Sequence, residues 1–143
     1  MGHLDKVRKL GRTKPHREAM LNNMAMSLFT HRIIKTTDAK AKALRPFVDR
    51  IIKTAKKDTL ASKRQVAKSI KVKSVFVKLY SDIVPQFTDR TSGFTRVIKV
   101  GTRRGDAAPM SVVELLTKPI EVDKGKGDKQ KKASKAKSKS ASA

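Results

Sequence analysis

Thirty-five lysines and arginines stand against twelve aspartates and glutamates in a chain of 143 residues, a formal charge of +23. Compaction draws those like charges together, so a stable fold has to be small, keep its cations outside and meet a counter-charge elsewhere. A nucleic-acid backbone supplies one, because neutralising phosphates with Lys and Arg releases their condensed counterions. A surface charged only for solubility seldom carries so much. The excess does not sit at one end: residues 1–117 hold 26 basic and 9 acidic side chains, a balance of +17.

Length and composition narrow the class further. At 143 residues and 38% hydrophobic content the chain has material for one small core. Cysteine is absent, which removes disulfide frameworks and thiolate metal sites and fits a reducing, cytoplasmic compartment. No run of eighteen apolar residues occurs, and the amino end has no apolar stretch of signal-peptide type, so neither membrane insertion nor export is expected.

Three segments are expected. Residues 1–12, MGHLDKVRKLGR, are too polar to pack alone and read as a basic arm carrying Lys6, Arg8, Lys9 and Arg12. Residues 13–117 carry the periodic patterns of a globular domain. From residue 118 onward the composition collapses to Lys, Ala, Ser, Gly and Asp, and such a tail cannot bury enough apolar surface to offset the entropy of ordering, so 118–143 is expected to be disordered.

Within the domain, Thr13 or Lys14 begins a helix, with Pro15 tolerated in its first turn and Leu21, Met24, Ala25 and Leu28 on one face through about Phe29. RIIKT at 32–36 is short and β-branched and reads as a strand, with N-cap candidates directly behind it. Ala41, Leu44, Val48, Ile51, Ile52 and Ala55 repeat at helical spacing, and Asp58 or Thr59 caps a third helix to about Ile70. A short helix over 74–84 ends at Pro85. FTRVIKV at 94–100 and MSVVELL at 110–116 alternate as paired antiparallel strands, joined by an exposed loop, GTRRGDAAP. The order helix, strand, three helices, two strands predicts a two-layer α+β domain, with helices packed on a small mixed sheet.

The sequence carries no recognisable catalytic machinery. No phosphate-binding Gly-rich loop, nucleophile elbow, zinc-protease motif or paired carboxylate motif is present, and His3, His16 and His31 match no metal spacing. The chain is therefore not expected to be an enzyme, nor to hold a metal, a cofactor or a small-molecule substrate. Cation clusters are what remain. Lys14, His16 and Arg17 surround a helix amino terminus, where N–H groups and the helix dipole add to their charge. His16 fits either a phosphate contact or an ordinary polar residue of a first turn. Arg103 and Arg104 lie between Gly101 and Gly105, so backbone and guanidinium forks can approach phosphate oxygens closely, while Asp106 is placed to pair with one of them and lower the count of contacts to one. Five Phe, one Tyr and no Trp leave little for a base-stacking platform, so shape and phosphate recognition of a folded RNA is the better expectation.

GRTKPHREAML at 11–21, HRIIKTTDAKAKALRP at 31–46 and GFTRVIKVGTRRGDAAPMSVVEL at 93–115 resemble the L-seventeen family of bacterial large-subunit ribosomal proteins. The likeness spans residues 3–116 in consistent order. It implies a two-layer domain without enzymatic activity that is a structural constituent of the large ribosomal subunit in the cytoplasm. The implied partners are large-subunit ribosomal RNA and neighbouring large-subunit ribosomal proteins near the peptide exit region, with no membrane involved. The family's basic amino-terminal segment falls on Lys6, Arg8, Lys9, Arg12, Lys14, His16 and Arg17, and its Arg-Arg-Gly-Asp loop on Arg103, Arg104, Gly105 and Asp106. Arg96, within the third motif, joins these as an RNA-binding candidate. Gly2, Leu4, Asp5 and Val7 dilute the arm relative to the family pattern, and the tail lies outside that pattern.

Overall fold

In the computed structural model residues 8–117 are described; Lys6 and the expected tail, 118–143, lie outside the described residues. Helix α1 spans Lys14–His31, strand β1 Ile33–Thr37, helix α2 Asp38–Ala55, helix α3 Leu60–Ser69 and helix α4 Lys73–Lys78, followed by strands β2 Thr95–Thr102 and β3 Pro109–Leu115. This is the expected element order in an α+β fold.

The α2 stripe works as its spacing demands: Ala41, Leu44, Val48, Ile51, Ile52 and Ala55 are all buried against the sheet and α1. Each fully buried Leu or Ile contributes about 1.5–3 kcal/mol relative to exposure. Pro46 lies inside this helix, which runs on past it. Asp38 in the first turn accepts from Lys42 one turn on, at 2.6 Å, and from the buried Ser111 hydroxyl at 3.0 Å, and the Lys42 contact holds its carboxyl below the ordinary range. That bond ties the start of α2 to the middle of β3.

Helix α1 continues two residues beyond Phe29 and stops where Arg32 turns left-handed, φ 65°, its N–H reaching the Leu28 carbonyl at 2.7 Å. Thr59, not Asp58, caps α3, its hydroxyl accepting from the Ser62 N–H at 3.2 Å. The helix expected over 74–84 is built in two pieces, α4 and a π turn at Leu79–Ile83 closed by the Val84 N–H on the Leu79 carbonyl; Pro85, expected to end it, instead opens a 3-10 turn at Pro85–Phe87, since a proline is tolerated in a first turn. The wider turn carries Leu79 and Ile83 both into the core. Phe87 and Phe94 then meet edge to face at 5.0 Å across the bottom of the domain. This stretch is pinned by α2 and the residue that follows it: the Lys56 ammonium donates to the Thr88 and Arg90 carbonyls, and the Phe94 N–H donates to Asp49 at 3.3 Å.

The sheet is not mixed. Its order is β1-β3-β2, and both pairings are antiparallel. The β2–β3 hairpin seats the last strand in the centre, and β1 pairs with the outer side of β3, so β1 and β2 never become neighbours. Core-facing positions on β3 are Ser111, Val113 and Leu115, all buried, and Ile34 and Val97 flank Val113 in the same row. Among the described elements, helices α1 and α2 make the main contacts with this face.

Candidate nucleic-acid interface

The hairpin tip is shaped by its glycines and one acid. Strand β2 bulges between Lys99 and Gly101, and Gly101 takes φ 132°, which a side chain would strain. The strands run further into the expected loop than the alternation suggested, leaving 103–108 as the turn. Arg103 closes it twice: its backbone N–H donates to the Ala108 carbonyl at 2.9 Å, and its guanidinium grips Asp106 in a two-point fork, Nε to Oδ1 at 3.1 Å and the second nitrogen to Oδ2 at 2.6 Å. The Ala108 N–H adds a contact to Asp106 Oδ1 at 3.3 Å. Asp106 is lowered to about 2, first by the Arg103 bond and then by the Ala108 N–H. Arg104 stands next to this brace, exposed and with no hydrogen bond or ion pair among the described residues. Asp106 thus does select one of the two arginines, and the one it leaves to solvent is Arg104.

The amino-terminal cluster is assembled differently. Leu10 and Gly11 both adopt positive φ, 55° and 62°, and the Arg12 N–H closes the turn on the Lys9 carbonyl at 3.2 Å. Arg12 folds back onto the Leu10 carbonyl at 3.0 Å and is half-buried, so it shapes the turn more than it offers charge. Arg8, Lys9, Lys14 and His16 are exposed and Arg17 is half-buried. The first turn of α1 holds no acid, and Arg17 N–H is the first amide to find a carbonyl within the helix, that of Thr13 at 3.0 Å. Pro15 has no N–H, so the Lys14 and His16 amides are the first-turn donors without a helical carbonyl, and they lie amid these cations, an arrangement that favours anions.

Two further cations join this side. Lys68 and Lys71, from the end of α3 and the link to α4, line one shallow groove with Pro15, Glu18 and Asn22 of α1. That they flank α1 depends on how α3 packs, which no local pattern encodes. Arg96 belongs to neither cluster. It lies on the uncovered sheet face, paired with Glu114 at 3.3 Å across the strands. No hydrogen bond or ion pair joins residues 8–17 to residues 103–108 among the described residues.

Fold and site together define a class: a small, strongly basic α+β domain with two cationic clusters, and no group of His, Asp or Glu placed to hold a metal among the described residues. The ribosomal protein L17 family model matches residues 20–116, and the chain belongs to that family. It is 52% identical over 116 residues to the large ribosomal subunit protein bL17 of Pelobacter propionicus, covering 81% of this chain and 91% of that one. Against the bL17 of Rubrobacter xylanophilus it is 48% identical over 121 residues, covering 85% of this chain and all of the relative. The bL17 of Geobacter sulfurreducens is also 48% identical, with 69% of its length covered.

Proposed function

We propose that this chain is a structural constituent of the large ribosomal subunit that binds and stabilises folded large-subunit ribosomal RNA by phosphate and shape contacts, in the bacterial cytoplasm and beside other large-subunit proteins near the peptide exit region. The observation that carries the reading is uncompensated charge held on a rigid frame. The ion pairs of the described residues engage Arg32, Lys42, Lys63, Arg96 and Arg103, and the other cations look to a partner for their counter-charge. Its relatives are named for the large subunit, and the hairpin tip lies within the stretch that the family model matches, with residues 8–17 just ahead of it. The role asks for binding, orientation and neutralisation of a polyanion, not for turnover.

Phosphate contacts position such a protein, and their number is read from salt dependence. Purified chain titrated against a large-subunit RNA transcript and against duplex DNA of equal length, across a salt series, is expected to prefer the folded RNA. Arg103→Ala with Arg104→Ala is expected to flatten the salt slope by about one unit, since Asp106 already holds Arg103 and Arg104 is the cation left to a phosphate. Equal affinity for the two polymers would overturn the RNA assignment, and an unchanged slope would remove the hairpin tip from the interface.

A further inference from the structure

The face of the sheet turned away from the helices is chemically unlike the rest of this surface. Alternation on β3 sends Met110, Val112 and Glu114 to that side, and the register sets Ile33 and Arg96 beside Glu114, Lys35 and Ile98 beside Val112, and Thr37 beside Met110. An uncovered face of an antiparallel sheet is ordinarily polar. Here Ile33 is 56% and Ile98 43% exposed, and Val100 at the bulge is 52% exposed. No described helix or loop covers them.

Resting on the reading above, we propose that this face docks a segment of a neighbouring protein of the same particle, one that presents aliphatic side chains to Ile33, Val112 and Ile98 and a carboxylate to Lys35. RNA is a poor occupant. The centre is aliphatic, with no ring for a base to stack on, the one guanidinium is taken by Glu114, and that carboxylate repels phosphate. A second copy is a poor occupant as well, since each chain brings +23 to the contact. Lys35 decides the remaining chemistry. It is exposed in the middle row beside Val112, and has no ion-pair or hydrogen-bond partner among the described residues, so a protein segment that covers the aliphatic row has to answer that ammonium with an acid. An apolar centre edged by charge is the usual build of a protein–protein contact.

The test uses purified large subunits that contain the full chain with a photoreactive Ile98→benzoylphenylalanine substitution, and separately Arg104→benzoylphenylalanine. Position 98 is expected to cross-link to another large-subunit protein, at a peptide that mass spectrometry shows to hold aliphatic residues and an acid; position 104 is expected to cross-link to RNA. Cross-linking of position 98 to RNA, to a second copy of the chain or to nothing overturns the proposal. Failure of the chain to enter large subunits, or of position 104 to reach RNA, would count against the functional reading instead. As a second measurement, Ile33→Thr with Ile98→Thr is expected to weaken binding to subunits stripped of this protein roughly ten-fold while leaving binding to the bare RNA transcript within about two-fold. An equal loss on both, or on neither, overturns the docking face. Circular dichroism melting of that variant confirms that the fold survives, as both positions are exposed.

Discussion

At the hairpin tip, an acid three residues away grips Arg103 from two sides and leaves Arg104 displayed on a closed loop. Around the start of α1, the acids are missing from the first turn, and Lys9, Lys14 and Arg17 make no side-chain hydrogen bond or ion pair among the described residues. The first region offers one cation whose platform is set before binding; the second offers several cations and unpaired helix amides whose side chains must still be ordered by the partner. Immobilising a long side chain costs entropy, so the same number of phosphates should be held less tightly per charge at α1 than at the tip. Removing charge from α1 should nevertheless change salt dependence most, because more phosphates are engaged there.

The largest expected effect follows from that count. Lys9→Ala, Lys14→Ala and Arg17→Ala combined are expected to lower the slope of log affinity against log salt by about three units, measured by filter binding to the large-subunit RNA transcript. A loss no greater than that of the Arg103 and Arg104 double variant would erase the contrast between a spread field and a single displayed charge. His16 sharpens it: a change to Ala that leaves the slope where it was marks it as an ordinary first-turn residue, and a flatter slope marks it as a phosphate contact.

An intermediate effect separates platform from charge. Asp106→Ala removes a negative charge and releases Arg103, so electrostatics alone predicts tighter binding. If the brace is what presents Arg104, affinity should instead fall, by about three-fold at fixed salt, with the loop now sampling many shapes. Tighter binding of that variant would show that the tip acts by charge alone, like α1.

Particular residues show which parts of this were legible in the sequence. The α2 stripe, the two terminal strands and the Arg-Arg-Gly-Asp turn were readable because each depends on contacts a few residues apart: helical spacing from Ala41 to Ala55, alternation from Val97 to Val113, and a three-residue reach from Arg103 to Asp106. What was not readable depends on pairing between distant segments. Nothing local says that β3 lies between β1 and β2, and without that order the sheet was expected to be mixed. Nor could Glu114 be foreseen opposite Arg96, because a shift of one residue in register would send the two to opposite faces. The same limit hid the groove where Lys68 and Lys71 meet α1. The π turn at 79–83 escaped for another reason: one extra residue in a helical turn leaves the apolar spacing of Leu79 and Ile83 almost unchanged.

The smallest expected effect is the most discriminating for the brace itself. The Asp106 carboxyl ordinarily titrates at 3.8 and here near 2, so the folded loop favours its charged form. Whatever stability the brace gives is therefore complete above the ordinary value, is lost as pH falls from about 4 through about 2, and is absent below that. Between pH 5 and 8 the titration of Asp106 should then leave RNA affinity unchanged, because its carboxyl stays charged throughout that range. Carbon-detected NMR of the Asp106 side chain should show a midpoint near 2 in the native chain and a return toward 3.8 in Arg103→Ala, while Arg104→Ala should leave it low. A midpoint that moved equally in both variants would mean that the two arginines share the carboxylate in solution, and the tip would lose the division of labour that sets it apart from α1.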